Sequence, residues 1–141
     1  MNCWEEYLRE AVKRLERSLD LVGVILFGSR ARGDWLSWSD YDLLIIGVFR
    51  ERYLDRIKSI LDILGDIPIH IEPHPYTLDE AINMLKRGNP IIVHALEGGR
   101  ILISGRGLEK LLETYWELKK RGLKMTDTTV IMPPSSKHIK E

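Results

Sequence analysis

Glutamine is absent from this 141-residue chain, asparagine occurs only at Asn2, Asn83 and Asn89, and the single cysteine is Cys3. One cysteine excludes an internal disulfide and fits a reducing compartment, so a cytoplasmic protein is expected. An excess of either charge is also lacking. Lys+Arg and Asp+Glu both total 21, which excludes a generic, strongly basic nucleic-acid coat protein. No strong nucleic-acid signal is read elsewhere, although a local basic patch stays open. No apolar run reaches the roughly 20 residues that cross a bilayer. Residues 1–20 carry charges at helical spacing and show no signal-peptide apolar segment, so no membrane partner is expected. Repeats and low-complexity tracts are missing as well. What is present is a 44% hydrophobic share, enough for one real core, and a 30% charged share that leans toward a heat-adapted protein.

Apolar period divides the chain into elements. Trp4, Leu8, Ala11, Val12, Leu15 and Leu19 lie on one helical face, and Tyr53, Leu54, Ile57, Ile60, Leu61 and Leu64 on another. The runs LVGVILFG (21–28) and YDLLIIG (41–47) predict strands ended by glycine. In IPIHIE (67–72), Ile67, Ile69 and Ile71 alternate with Pro68, His70 and Glu72, which predicts a strand with one buried face. Thr77 and Glu80 form a capping-box pattern, with Gly88 placed to stop the helix that follows. A short helix from Asn89-Pro90, a strand at 100–104 and a helix over about 107–121 complete the order. The expected class is α/β (α+β): a mixed sheet of about four strands covered by helices. The connection from 28 to 41 is too short for a crossover helix, so the first two strands should be antiparallel neighbours.

The stretch GVILFGSRARGDWLSWSDYDLLII (23–46) drives two aspartates into the entrance of an apolar strand. Asp40 and Asp42 are two apart, so their side chains should share a face and repel unless a cation lies between them. Divalent magnesium, or manganese, is the natural occupant for carboxylate oxygens. A carboxylate from a neighbouring strand would complete the site. Glu72 is the first choice and His70 the reserve. Gly28-Ser29, after a strand and before a short helical stretch, is suited to receive phosphate. Arg30 or Arg32 would meet the remaining charge.

Gly28-Ser29, ten residues, then Asp40-Tyr41-Asp42 resembles the G-S-x10-D-x-D pattern of the nucleotidyltransferase superfamily that includes DNA polymerase beta. With GSRARG and SDYDLLI, the chain looks most like the minimal nucleotidyltransferases, some of which are antitoxins of HEPN/MNT toxin–antitoxin pairs. The resemblance covers residues from about 20 to 104 and implies a polymerase-beta-palm-like nucleotidyltransferase fold. The domain is expected over 1–122, and the residues of 123–141 read as a loosely held tail with a short extended segment near Val130–Met132. The resemblance implies Asp40, Asp42 and Glu72 as metal ligands and catalytic carboxylates, Glu72 doubling as base, with Gly28 and Ser29 on the triphosphate. The third carboxylate is often Asp in this superfamily, so Glu72 is a departure. The implied reaction is attack by an acceptor hydroxyl on the α-phosphate of an NTP, ATP first among them, with release of pyrophosphate. A HEPN-type protein partner is the expected acceptor, and a homo-oligomer is the other way to supply one.

Plainer readings stand beside these. Arg30 and Arg32 are equally read as solvated charges, and His70 and His74 as surface strand residues. His94 is expected on a packed helix. Trp35 and Trp38 would stack on a base or acceptor, or pack their loop on the core. A second function class is an antitoxin-like binding module that holds a HEPN-type ribonuclease with weak or no catalysis. A transferase acting on an aminoglycoside would want a second acidic cluster, and the chain shows none.

Overall fold

The structure, a computed structural model, describes residues 3–33, 40–126 and 129–134. The elements in chain order are α1 (Cys3–Ser18), β1 (Leu21–Phe27), α2 (Ser29–Arg32), β2 (Tyr41–Gly47), α3 (Tyr53–Leu64) and β3 (Ile71–Tyr76). They continue as α4 (Leu78–Lys86), α5 (Pro90–Gly98), β4 (Arg100–Ser104), α6 (Leu108–Lys120), β5 (Lys124–Met125) and β6 (Val130–Ile131). Four strands form one sheet in the order β3-β2-β1-β4. The β1–β2 and β1–β4 pairs are antiparallel and the β2–β3 pair is parallel, so the sheet is mixed.

Both faces of the sheet are covered, which explains why β1 and β2 read as unbroken apolar runs. Val24, Leu26, Leu43 and Ile45 pack against Leu8, Ala11 and Leu15 of α1 and Ile60 and Leu64 of α3. Ile25, Phe27, Leu44 and Ile46 face the opposite way, onto Ala81, Leu85, Ile92, Leu108, Leu111 and Tyr115 of α4, α5 and α6. Two-residue alternation thus sorts one strand's side chains into two cores. It also fixes the direction of Asp42, which lies in phase with Leu44 and Ile46.

One expected strand is displaced. The alternation over 67–72 predicts its start at Ile67, but β3 begins at Ile71 and runs through Pro73 and Pro75 to Tyr76. Proline lacks an N–H and is tolerated where one strand side has no ladder partner, and β3 is an edge strand. Ile67 and Ile69 still pack against the α1/α3 core, from the turn before the strand. The capping box at the start of α4 forms as its pattern predicts. Glu80 N–H donates to Thr77 Oγ1 at 3.2 Å, and Thr77 N–H donates to Glu80 Oε1 at 2.9 Å. Beyond α6, Leu123 is buried, and Met125, Val130 and Met132 pack on the α4–α6 core as β5 and β6 pair. Residues 127–128 and 135–141 of the expected tail lie outside the described residues.

Candidate active site

Three neighbouring strands bring the site together. In the β1–β2 register Phe27 lies opposite Asp42, and in the β2–β3 register Asp42 lies opposite Glu72. Gly28 leaves β1 with φ +79° and ψ −158°, a combination that favours glycine. A Cβ at this position would stand 2.5 Å from Asp42 Oδ2. The turn and the carboxylate therefore approach to a distance that only a glycine permits.

Glu72 and His74 project from the same side of β3. His74 Nε2 lies 3.4 Å from Asp42 Oδ1 and 3.7 Å from Glu72 Oε2. Its side chain is 12% exposed, and its ring sits 5.2 Å from that of Phe27, which holds it over the carboxylates. Asp42, Glu72 and His74 each offer a ligand atom, and these atoms fall within 4.8 Å of one another. Two carboxylates and one imidazole nitrogen form a donor set suited to a divalent cation. Two carboxylates this close also repel one another in the absence of one.

Asp40 is placed differently. Its Oδ1 meets Nδ1 of the highly exposed His70 at 3.0 Å, and it stands outside the Asp42–Glu72–His74 group. A backbone bond from Tyr41 N–H to His70 O, 2.8 Å, ties the two segments just below. His70, the reserve ligand in the sequence reading, is thus beside Asp40. His74, read from sequence as a surface residue, is the histidine beside Asp42 and Glu72. Its signal was the i, i+2 relation to Glu72, visible only once a strand through Pro73 and Pro75 is admitted.

Ser29 opens α2, whose single turn closes through Ala31 N–H and Arg32 N–H to Gly28 O, both 3.1 Å, and Gly33 N–H to Ser29 O, 3.0 Å. Arg30 and Arg32 diverge from this turn. Arg30 is 8% exposed and its guanidinium lies 4.1 Å over the ring of Tyr41, which belongs to the α1/α3 side of the sheet, opposite to Asp42. Burial pushes the Tyr41 hydroxyl up, against the pull of Arg30. Arg32 is exposed and lines a cleft of about 470 Å³ with Gly28, His94 and Glu97. His94, expected on a packed helix, opens onto this cleft from α5. A larger cleft of about 630 Å³ borders the carboxylates on the other flank, between α3 and the segment leading into β3. Trp35 and Trp38 lie outside the described residues.

Residues 5–126 match a family described as the nucleotidyltransferase domain. The chain is 33% identical to a candidate protein adenylyltransferase of Methanocaldococcus jannaschii, across 72% of this chain and 69% of that protein. Among solved structures, a spectinomycin adenyltransferase of Enterococcus faecialis with ATP and spectinomycin superposes with a TM-score of 0.50 at 15% identity, covering 75% of this chain and 57% of the other. A complex of a tri-AMPylated Shewanella oneidensis HEPN toxin with its MNT antitoxin is also similar, with a TM-score of 0.47 at 14% identity, covering 82% and 89%.

Proposed function

Because the chain belongs to the nucleotidyltransferase domain family, we propose that it transfers AMP from ATP, held through Mg²⁺ or Mn²⁺, to a hydroxyl group on another protein. The observation that carries the reading is the approach of Gly28 to Asp42, with Glu72 and His74 closing the same group. A turn suited to phosphate and a cluster suited to a cation meet there at one glycine. The protein acceptor is supported by the relative named a candidate protein adenylyltransferase. A HEPN-type partner is the acceptor that the sequence resemblance implies.

In this reading Asp42, Glu72 and His74 hold the cation, and Asp40 is the further ligand that the D-x-D pattern supplies. A bound divalent cation neutralises phosphate charge and polarises the α-phosphate for attack. Gly28 lets the backbone come close to the triphosphate, and Ser29 donates from its hydroxyl to a phosphate oxygen. Arg32 adds charge from the cleft wall. Arg30 has another duty: stacked on Tyr41, it fixes α2 against the residue between the two aspartates. Glu72, with a half-exposed side chain, is the carboxylate able to take the proton from an incoming hydroxyl. The hydroxyl oxygen bonds to the α-phosphorus as the bridge to the β-phosphate breaks, and pyrophosphate leaves.

The test is calorimetric titration of ATP with and without Mg²⁺, on the unaltered chain and on Asp42→Asn. Binding that requires both cation and Asp42, followed by transfer of α-labelled AMP to a protein, is the expected result. ATP binding by Asp42→Asn equal to that of the unaltered chain would remove Asp42 as a ligand. An absence of binding at millimolar ATP would overturn the reading.

A further inference from the structure

The cleft that shares Gly28 with the carboxylate cluster carries a second polar constellation. Glu97 lies in the last turn of α5, a helix with no basic residue there, where the helix dipole disfavours a carboxylate. Two side chains of α6 hold it. The Tyr115 hydroxyl donates to Glu97 Oε1, and Lys119 Nζ lies 3.2 Å from both carboxylate oxygens. These bonds keep the Glu97 carboxyl below the ordinary glutamate value, Tyr115 contributing most, while burial and the same bond push the Tyr115 hydroxyl up. A carboxylate offers about four acceptor positions, so Oε2, which among the described residues meets Lys119 alone, keeps capacity for another donor. The side chain is 32% exposed and lines the cleft together with Arg32, His94, Met125 and Thr126.

Because Lys119 balances its charge, the Glu97 carboxylate neither attracts nor strongly repels a triphosphate. It suits the part of a nucleotide that is neutral and carries hydrogen-bond donors. We propose that Glu97 is a nucleotide-specificity residue, whose carboxylate accepts a hydrogen bond from the nucleoside while the triphosphate lies at Gly28-Ser29. The donor is the exocyclic amine of the base or a ribose hydroxyl, two sources of one chemistry. Tyr115 and Lys119 are positioning residues that set the carboxylate's direction. The inference rests on the nucleotidyl-transfer reading above and adds the residue that chooses among nucleotides.

The experiment measures Mg²⁺-dependent binding of ATP, ITP, 2′-dATP, 3′-dATP and inorganic tripolyphosphate to the unaltered chain, Glu97→Gln and Tyr115→Phe. ITP lacks the amine, and each deoxynucleotide lacks one hydroxyl. The unaltered chain should prefer ATP over at least one analogue by about tenfold, the scale of one charge-assisted hydrogen bond. Glu97→Gln should reduce that preference several-fold with tripolyphosphate binding changed little, and Tyr115→Phe should reduce it less. Equal weakening of every ligand, tripolyphosphate included, would make Glu97 structural and overturn the proposal. Equal affinity of the unaltered chain for ATP and all three analogues would also overturn it. Failure of the unaltered chain to bind even tripolyphosphate would instead overturn the transfer reading beneath it.

Discussion

Gly28 joins two demands that other residues would separate. Its φ of +79° with ψ −158° is a combination nearly confined to glycine that costs an L-residue roughly 1–3 kcal/mol, and a Cβ would collide with Asp42 Oδ2. Gly28→Ala should therefore weaken Mg²⁺-dependent ATP binding by more than tenfold, with a loss of stability of about 1–3 kcal/mol, read by calorimetry and by denaturant unfolding. The far larger effect should be on binding, because the collision is with a site carboxylate and not with the core. His74 gives a second case. It touches Asp42 and Glu72 and is held by Phe27, so His74→Ala should lower cation affinity about 10–100-fold, while His70→Ala, at an exposed side chain, should change it far less. Equal effects of the two would return the histidine role to His70. For turnover, Glu72→Gln should cost more than His70→Ala, measured as AMP transfer. Gly28 and Asp42 were legible from sequence because their spacing follows one strand–turn–strand unit. His74 was not, since its place depends on which residues of β3 lie beside β2.

At the scale of elements, a clamp between α3 and α4 supports the sheet edge that carries Glu72 and His74. Arg56 is 7% exposed and donates to Glu80 Oε1 at 2.7 Å and Oε2 at 3.1 Å. It also donates to Glu51 O at 2.9 Å and Pro75 O at 3.3 Å, so one guanidinium binds the start of α3, the cap of α4 and the end of β3. Pro75 belongs to β3, an edge strand of the sheet, so the bond to its carbonyl anchors an edge. The bidentate bond from Arg56 holds the Glu80 carboxyl below its ordinary value. A depressed carboxyl contributes its stability above the unfolded-state value and loses it as pH falls through the folded one. Glu80→Gln should thus lower stability by about 1 kcal/mol at neutral pH, since water screens the 44% exposed Glu80 side chain, and the gap to the unaltered chain should narrow as the pH drops below the ordinary glutamate range. Denaturant midpoints measured across that range check both points. A gap independent of pH would mean that the capping bonds, and not the charge, carry the effect. The Thr77–Glu80 box was legible from its four-residue pattern, but the Arg56 bond to it spans 24 positions and had no local signal.

At the scale of the whole molecule, the sheet carries a core on each face, and Asp42, Glu72 and His74 meet beside the turn that ends β1. Periodicity showed this architecture, because helices and strands with one apolar face each have few ways to bury them. It misplaced the start of β3 because the isoleucine alternation over 67–72 looked like the strand, whereas pairing with β2 and the edge position decided its bounds. The same architecture makes a prediction about cations. Lys+Arg and Asp+Glu balance at 21 each, so a salt has little net repulsion to screen, and a divalent ion should stabilise chiefly by binding. Binding at 100 times the dissociation constant adds about 2.7 kcal/mol, which for a chain of this size raises the melting temperature by roughly 5–10 °C. The shift should saturate with Mg²⁺ or Mn²⁺ and reverse with a chelator. Asp42→Asn should abolish it while melting no lower than the unaltered chain in metal-free buffer, because removing one of two adjacent carboxylate charges relieves repulsion. An equal cation-dependent rise in Asp42→Asn, followed by scanning calorimetry, would place the ion elsewhere and detach the Asp42–Glu72–His74 cluster from metal binding.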